Sequence, residues 1–98
     1  MGMNAKASNA RKATPLSEAI AAQIRAERAA ARLTKDDMIK RTRIGRGTYY
    51  DLEAGTKPID VSQLAAVCEV LGISLTDFML RADARMKADP QADTRTAG

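Results

Sequence analysis

The clearest pattern in the sequence is the spacing of its apolar residues, which recur every three or four positions through the middle of the chain. That spacing is typical of helices that turn one face toward a core, and no stretch alternates in the manner of a strand. The first apolar series follows Thr14-Pro15-Leu16-Ser17 and consists of Ile20, Ala21, Ile24 and Ala31. It predicts a first helix over about 17–32 with Ser17 as its N-cap.

Four further helices are predicted from their own start and stop signals. Their ranges are 35–42, 46–53, 61–71 and a fifth helix that begins at 75. The polar N-caps are Thr34 and Ser74. Two glycines, Gly55 and Gly72, can end a helix in a left-handed conformation. The apolar stripe of the fifth helix consists of Leu75, Phe78, Met79, Ala82 and Met86. The chain is therefore predicted to have an all-α fold of five helices.

The two ends of the chain lack this apolar spacing. Residues 1–14 are small, polar and basic, so they cannot bury enough surface to offset the entropy of ordering, and we expect a flexible basic arm. Residues 89–98 begin with an Asp-Pro pair that disfavours helix, and we expect a disordered tail. The interpretation is one helical domain over 15–88, which suits a chain of 98 residues.

Charge and composition narrow the function classes. Residues 1–50 carry 11 Lys and Arg against 4 Asp and Glu, whereas residues 51–98 carry 5 against 8, and a basic front half is typical of a protein that meets phosphates. The chain has no His and one cysteine, Cys68, so we expect no metal, no cofactor and no enzyme activity. No apolar run approaches the roughly 20 residues that span a bilayer. We therefore expect a cytoplasmic protein without a membrane partner.

The segment over 34–55, TKDDMIKRTRIGRGTYYDLEAG, places two short helices on either side of a short connection. It resembles the lambda-repressor-like helix-turn-helix DNA-binding proteins, the Cro/C1-type or XRE family, and the resemblance extends from about Leu16 to Met79. The family opens helix two with a polar cap, as Thr34 does here, and closes helix three with Glu and Gly, as Glu53 and Gly55 do. Its Leu-Gly-hydrophobic-Ser sequence reads LGIS at 71–74.

The resemblance implies an ion pair between Arg28 of helix one and Glu53 of helix three. It also shows three departures from the family pattern. Ile39 replaces a small residue of helix two, Arg43 replaces the glycine of the turn, and Tyr49 replaces an aliphatic core residue. Arg43 would have to avoid or tolerate a left-handed conformation that is costly without glycine.

The resemblance further implies which residues contact double-stranded DNA. They are Lys35, Arg46, Gly47, Thr48, Tyr50 and Asp51. Arg46 has the best chemistry for reading a base, since a guanidinium can donate two hydrogen bonds to guanine O6 and N7, although a phosphate is an equally good target for it. Asp51 would either accept from a cytosine amino group, restrain Arg46 or Lys35, or face away from the groove.

Four other basic residues flank this surface, and each either contacts a phosphate or belongs to a solvated basic face. They are Lys40, Arg41, Arg43 and Lys57. On the fifth helix Leu80 and Ala84 lie outside the main stripe, and together with Met86 at the end of that stripe they could form the seam of a homodimer that matches a palindromic operator.

The function predicted from these observations is that of a sequence-specific transcriptional regulator, and a repressor of the phage Cro/C1 type in particular. A Cro-like counterpart and an activator have the same sequence features. The alternative is an antitoxin that binds a protein toxin and represses its own gene.

Overall fold

The structure, a computed structural model, describes residues 13–88 as five α-helices and contains no strand in that range. The helices are α1 Pro15–Ala30, α2 Lys35–Thr42, α3 Arg46–Ala54, α4 Val61–Leu71 and α5 Leu75–Ala88. The predicted all-α fold is therefore confirmed. Most of the predicted arm and all of the predicted tail lie outside the described residues.

The start of α1 corrects the sequence analysis. Thr14, not Ser17, is the N-cap: its Oγ1 accepts from the Ser17 backbone N–H at 3.1 Å, and the Ser17 Oγ accepts from the Thr14 N–H at 2.7 Å. This reciprocal capping box starts the helix two residues earlier, with Pro15 at a first-turn position that needs no N–H. The helix also ends earlier, because Ala31 is its exposed C-cap and Arg32 is left-handed at φ +60°.

The remaining helices begin and end close to the predicted positions. Thr34 and Asp37 form a second capping box at α2, and Ser74 accepts from the Asp77 N–H at the start of α5. The sequence analysis missed Asp60, whose carboxylate caps α4 by accepting from two backbone N–H groups. Gly55 ends α3 in the left-handed conformation, at φ +70°.

One apolar core joins the five helices. Its buried members are Ile20, Ile24, Met38, Tyr49, Leu52, Leu64, Val67, Cys68, Phe78 and Ala82. The first helix packs most extensively against α5 and also contacts α3 and α4, while α2 packs against α3 and α4. Arg81 and Arg85 of α5 strengthen the first contact by donating to Glu27 and Gln23 of α1 at 2.7 and 3.0 Å.

Helix length and apolarity bear on membrane insertion. Within residues 13–88 no single helix is long and apolar enough to span a bilayer. The helices α4 and α5 meet the requirement only when taken together, across a bend of 103°.

Candidate nucleic-acid interface

Three residues, 43–45, connect α2 to α3 and set the angle between them. Arg43 adopts the left-handed conformation at φ +63° and ψ +22°, and its N–H donates to the Ile39 carbonyl at 3.0 Å. Thr42 adds two bonds, because its hydroxyl donates to the Met38 carbonyl and accepts from the Ile44 N–H. Arg43 thus tolerates the conformation that the family assigns to glycine, at a backbone cost of roughly 1–2 kcal/mol.

A buried polar cluster ties α3 to α1. Arg28 Nε lies 2.6 Å from Glu53 Oε2, and Arg28 Nη2 lies 3.1 Å from Glu53 Oε1, which is a two-point contact. Tyr49, fully buried in the core, donates its hydroxyl to the same carboxylate. Arg25 donates to the Glu53 backbone carbonyl at the end of α3. These bonds fix the position of the third helix relative to the body of the domain.

The ionisation of this cluster follows from its burial. Burial first, and then the hydrogen bond to Glu53, raises the pKa of Tyr49 well above its usual value, so the hydroxyl stays protonated and can donate. The hydrogen bond to Glu53 raises the pKa of Arg28. A phenol can therefore be buried at position 49, where the family has an aliphatic residue, because its hydroxyl donates a hydrogen bond to the Glu53 carboxylate.

The opposite face of α3 is open to solvent. The helix buries Tyr49, Leu52 and Glu53, and it exposes most of the residues that the sequence analysis assigned to DNA contact. Of these, Arg46, Gly47, Thr48 and Tyr50 are exposed, and Asp51 and Lys35 are partly exposed. A side chain at Gly47 would meet nothing within 4 Å, so this position lets another molecule approach the backbone closely.

Arg46 and Lys35, the two cations assigned to base contact, each have a partner at this surface. Arg46 Nη1 lies 2.7 Å from Asp36 Oδ1, and this hydrogen bond raises the pKa of Arg46. Lys35 Nζ lies 4.8 Å from the centre of the Tyr50 ring, within the range of a cation–π contact.

Asp51 pairs with Lys57, at 3.2 Å. Of the three alternatives left open for Asp51, a contact with Arg46 or Lys35 is therefore not the one that the structure contains. Arg46 and Asp51 are five residues apart on one helix, which places their side chains about 140° apart around its axis. The partner of Arg46 is instead Asp36, a residue for which the sequence pattern indicated no contact.

The four flanking cations are all exposed. Lys40 and Arg41 lie on the last turn of α2, Arg43 lies in the connection, and Lys57 lies in the loop after α3. In the sequence, three of these cations therefore precede α3 and one follows it.

Concave features near this face are small. A hollow of about 140 Å³ lies beside Thr48, Asp51 and Lys57, well below the size of a usual small-molecule pocket. Within residues 13–88 no group of three or more His, Cys, Asp or Glu residues is placed to hold a metal ion. The chemistry available at the site is hydrogen bonding and charge on a convex helix face.

A short helix, a tight connection and a second helix with an exposed polar face define a helix-turn-helix unit, the class of DNA-binding protein in which the second helix enters the major groove. The family model described as a helix-turn-helix domain matches residues 19–78. The chain therefore belongs to the helix-turn-helix domain family.

Solved structures give a more particular similarity. A crystal structure of the clp gene regulator ClgR from Corynebacterium glutamicum is 32% identical, with a TM-score of 0.72 over 84% of this chain and 85% of that chain. A second crystal structure of that regulator is also 32% identical, with a TM-score of 0.68 over 80% of this chain and 99% of that chain. A search of curated protein sequences found no significant match.

Proposed function

We propose that the protein is a sequence-specific repressor of the phage Cro/C1 type, which acts in the cytoplasm on a double-stranded operator. The coarser statement, a DNA-binding transcriptional regulator, rests on the helix-turn-helix family and on the similarity to a gene regulator. One observation supports the finer proposal most directly. The buried Arg28–Glu53–Tyr49 cluster fixes one face of α3 while the other face presents hydrogen-bonding side chains to solvent. Such preorganisation is what base reading requires.

In this proposal the exposed face of α3 reads bases, together with the start of α2. The contacting residues are Lys35, Arg46, Gly47, Thr48, Tyr50 and Asp51. The flanking cations bind phosphates, which sets the register of the protein on the duplex without reading sequence. They are Lys40, Arg41, Arg43 and Lys57.

We further propose that the protein binds its operator as a homodimer through α5. Leu80 is 63% exposed, and it borders an apolar groove of about 560 Å³ together with Leu16, Met79 and Met86. An exposed aliphatic residue beside such a groove favours a protein contact. Ala84 is exposed but lines the neighbouring groove with Arg81 and Arg85, so the proposed seam centres on Leu80 and Met86.

A binding selection tests the DNA-binding proposal. The full chain is incubated with a pool of random duplexes, and the selected operator is then titrated at several salt concentrations. We expect the logarithm of affinity to fall with the logarithm of salt, by about 0.9 for each phosphate neutralised. If no sequence is enriched, or if affinity does not respond to salt, the proposal is wrong.

Two variants distinguish base reading from phosphate binding. Arg46→Ala should lose about 1–3 kcal/mol on the operator and much less on a scrambled duplex, because only base edges differ between sequences. Lys57→Ala should weaken both duplexes alike. Equal losses for Arg46→Ala on the two duplexes would show that Arg46 binds a phosphate.

Sedimentation of the full chain tests the homodimer. Leu80→Glu should yield a folded monomer that binds a palindromic operator more weakly. Its melting temperature should no longer depend on protein concentration, because association with a second copy stabilises only the dimer. Val61→Glu is the matched control, because Val61 is an aliphatic residue with a similar exposure of 69% on α4. A monomeric wild-type chain that binds its operator fully would contradict the dimer, and a different co-purified polypeptide bound at α5 would favour the antitoxin alternative.

A further inference from the structure

The contact between Asp36 and Arg46 joins two side chains that both face solvent, on the surface assigned to DNA. Their exposed fractions are 60% and 62%, and the Oδ1–Nη1 distance is 2.7 Å. An exposed ion pair of this kind contributes little to fold stability. It does, however, join the first turn of α2 to the first residue of α3, across the connection of the helix-turn-helix unit. A role at the interface therefore explains the pair better than a role in folding.

We propose that Asp36 is a specificity-determining positioning residue, which holds Arg46 in the orientation that reads a guanine and keeps it from serving as a phosphate clamp. This inference rests on the proposed function. It assigns a guanine as the target of Arg46, whereas the chemistry of a guanidinium alone fits a base and a phosphate equally well.

The first reason is hydrogen-bond capacity. A guanidinium has five N–H donors, and the contact with Asp36 uses one of them. Two of the remaining donors are enough for guanine O6 and N7. A side chain already held at one end also loses less rotamer freedom when it meets the base edge, so the contact is made at lower entropic cost.

The second reason is charge. A phosphate that approached Arg46 would also approach the Asp36 carboxylate 2.7 Å away, and the two anions repel each other. The O6 and N7 edge of a guanine carries only partial negative charge, so the carboxylate repels it much less than it repels a phosphate. Asp36 therefore weakens the attraction of Arg46 for a phosphate more than its hydrogen bonding to guanine, and this difference favours specific binding.

Tyr50 lies four residues after Arg46 and therefore on the same side of α3. Its ring centre lies 4.8 Å from Lys35 Nζ, and Tyr50 adds to the effect of Asp36 in raising the pKa of Arg46. Lys57, by contrast, pairs with Asp51 at 3.2 Å and is a flexible point charge without the planar fork that guanine requires.

The test is a double-mutant cycle with Asp36→Asn, Arg46→Ala and the double variant. Each is titrated on the operator and on a scrambled duplex over a series of salt concentrations. We expect Asp36→Asn to bind the scrambled duplex more tightly, with a salt slope steeper by up to about 0.9, because Arg46 now neutralises a phosphate. The operator-to-scrambled affinity ratio should fall severalfold, within the roughly 5–150-fold that one arginine–guanine contact supplies.

Three controls isolate the effect. Asp36→Glu retains the carboxylate and should keep most of the discrimination. Glu69→Gln removes the same charge from an exposed position on α4 and should leave the ratio unchanged. In the Arg46→Ala background, Asp36→Asn should no longer change the ratio. If Asp36→Asn folds poorly, Arg46→Lys tests the same idea, since it keeps the charge but loses the fork and should lower the ratio without a steeper salt slope.

The inference is overturned if Asp36→Asn strengthens operator and scrambled binding equally, or if it has the same effect with and without Arg46. Either result would make Asp36 a general repulsive charge. A wild-type chain that does not discriminate between the two duplexes would overturn the proposed function as well, and the wild-type titration alone reports that outcome.

Discussion

Replacing Glu53 with alanine removes the carboxylate that holds α3 in place. Glu53 is 3% exposed and accepts hydrogen bonds from Arg28 at two points and from the Tyr49 hydroxyl. The Glu53→Ala variant therefore leaves a guanidinium without its counter-ion and a buried phenol without an acceptor.

The structure sets the size of the effect. Removing one partner of a buried ion pair costs about 3–5 kcal/mol, because the other charge stays desolvated. A stranded buried hydroxyl alone costs about 1–3 kcal/mol. Arg28 retains its bond to the Leu33 carbonyl and an exposed fraction of 18%, so it recovers some hydration and the two costs do not simply add. We expect a total loss of about 3–5 kcal/mol, a large share of the roughly 5–15 kcal/mol of a small domain.

Thermal and urea unfolding measure this loss. A change of that size should lower the melting temperature by about 12–40 °C in a domain of this length. Asp83→Ala is the matched control, since Asp83 belongs to an exposed i,i+4 pair with Lys87 and its loss should cost only about 0–1 kcal/mol. Tyr49→Phe should cost less than Glu53→Ala, because it deletes the hydroxyl but leaves the ion pair intact.

Equal destabilisation by Glu53→Ala and Asp83→Ala would refute this reasoning. It would mean that the Arg28–Glu53 pair is solvated and does not fix the position of α3. A loss for Tyr49→Phe as large as that for Glu53→Ala would refute the ion pair as the dominant contribution and assign it to the phenol.

Three further predictions concern the backbone and pH. Gly55→Ala should lower the free energy of unfolding by about 2–4 kcal/mol, because its Cβ would lie 2.9 Å from the Ala21 Cβ at a φ of +70°. Gly72→Ala should lower it by only about 1–2 kcal/mol, because φ is +73° there but the space is open. Urea unfolding of the two variants measures the difference. Arg43→Gly relieves a left-handed arginine, worth roughly 1–2 kcal/mol, but a glycine costs about 0.5–1 kcal/mol in conformational entropy, so the melting temperature should rise by about 2–8 °C. Gel-shift titration of this variant should show equally weaker binding to operator and scrambled DNA. Burial alone raises the pKa of Glu27, but hydrogen bonds from α5 and α1 outweigh it and hold the pKa below its usual 4.5. The ionised Glu27 therefore contributes its full stability above pH 4.5, and this contribution is lost as the pH falls through the lower pKa of the folded state. Between pH 7 and pH 3 the melting temperature should fall less steeply for Glu27→Gln than for the wild type.

Local signals predicted most of the fold correctly. Capping hydroxyls and terminal glycines act on backbone groups within four residues, so Thr34, Ser74 and Gly72 could be assigned without any tertiary information. The start of α1 was misplaced because Thr14 and Ser17 bond each other reciprocally, and either residue type can be an N-cap. Proline at 15 was the signal that favours the earlier start.

The partners of the charged residues could not be assigned from the sequence alone. The exposure of Gly47, Thr48 and Tyr50 follows from the helical period, since they lie about 100–160° around the axis from the buried Tyr49. Arg46 lies nearer the buried side and is exposed at the first position of the helix. The partner of Arg46 does not follow from it, because Asp36 lies ten residues away on another helix and its distance depends on the left-handed conformation at Arg43.

The sequence by itself determined which segments are helices, where most of them begin and end, and which face of α3 is polar, because these properties arise from hydrogen bonds and apolar spacing within a few residues. Only the tertiary structure decided that Tyr49 could be buried against Glu53, that Asp51 pairs with Lys57, and that Asp36 holds Arg46. Such contacts depend on how the helices cross, and the crossing is a property of the whole packed core.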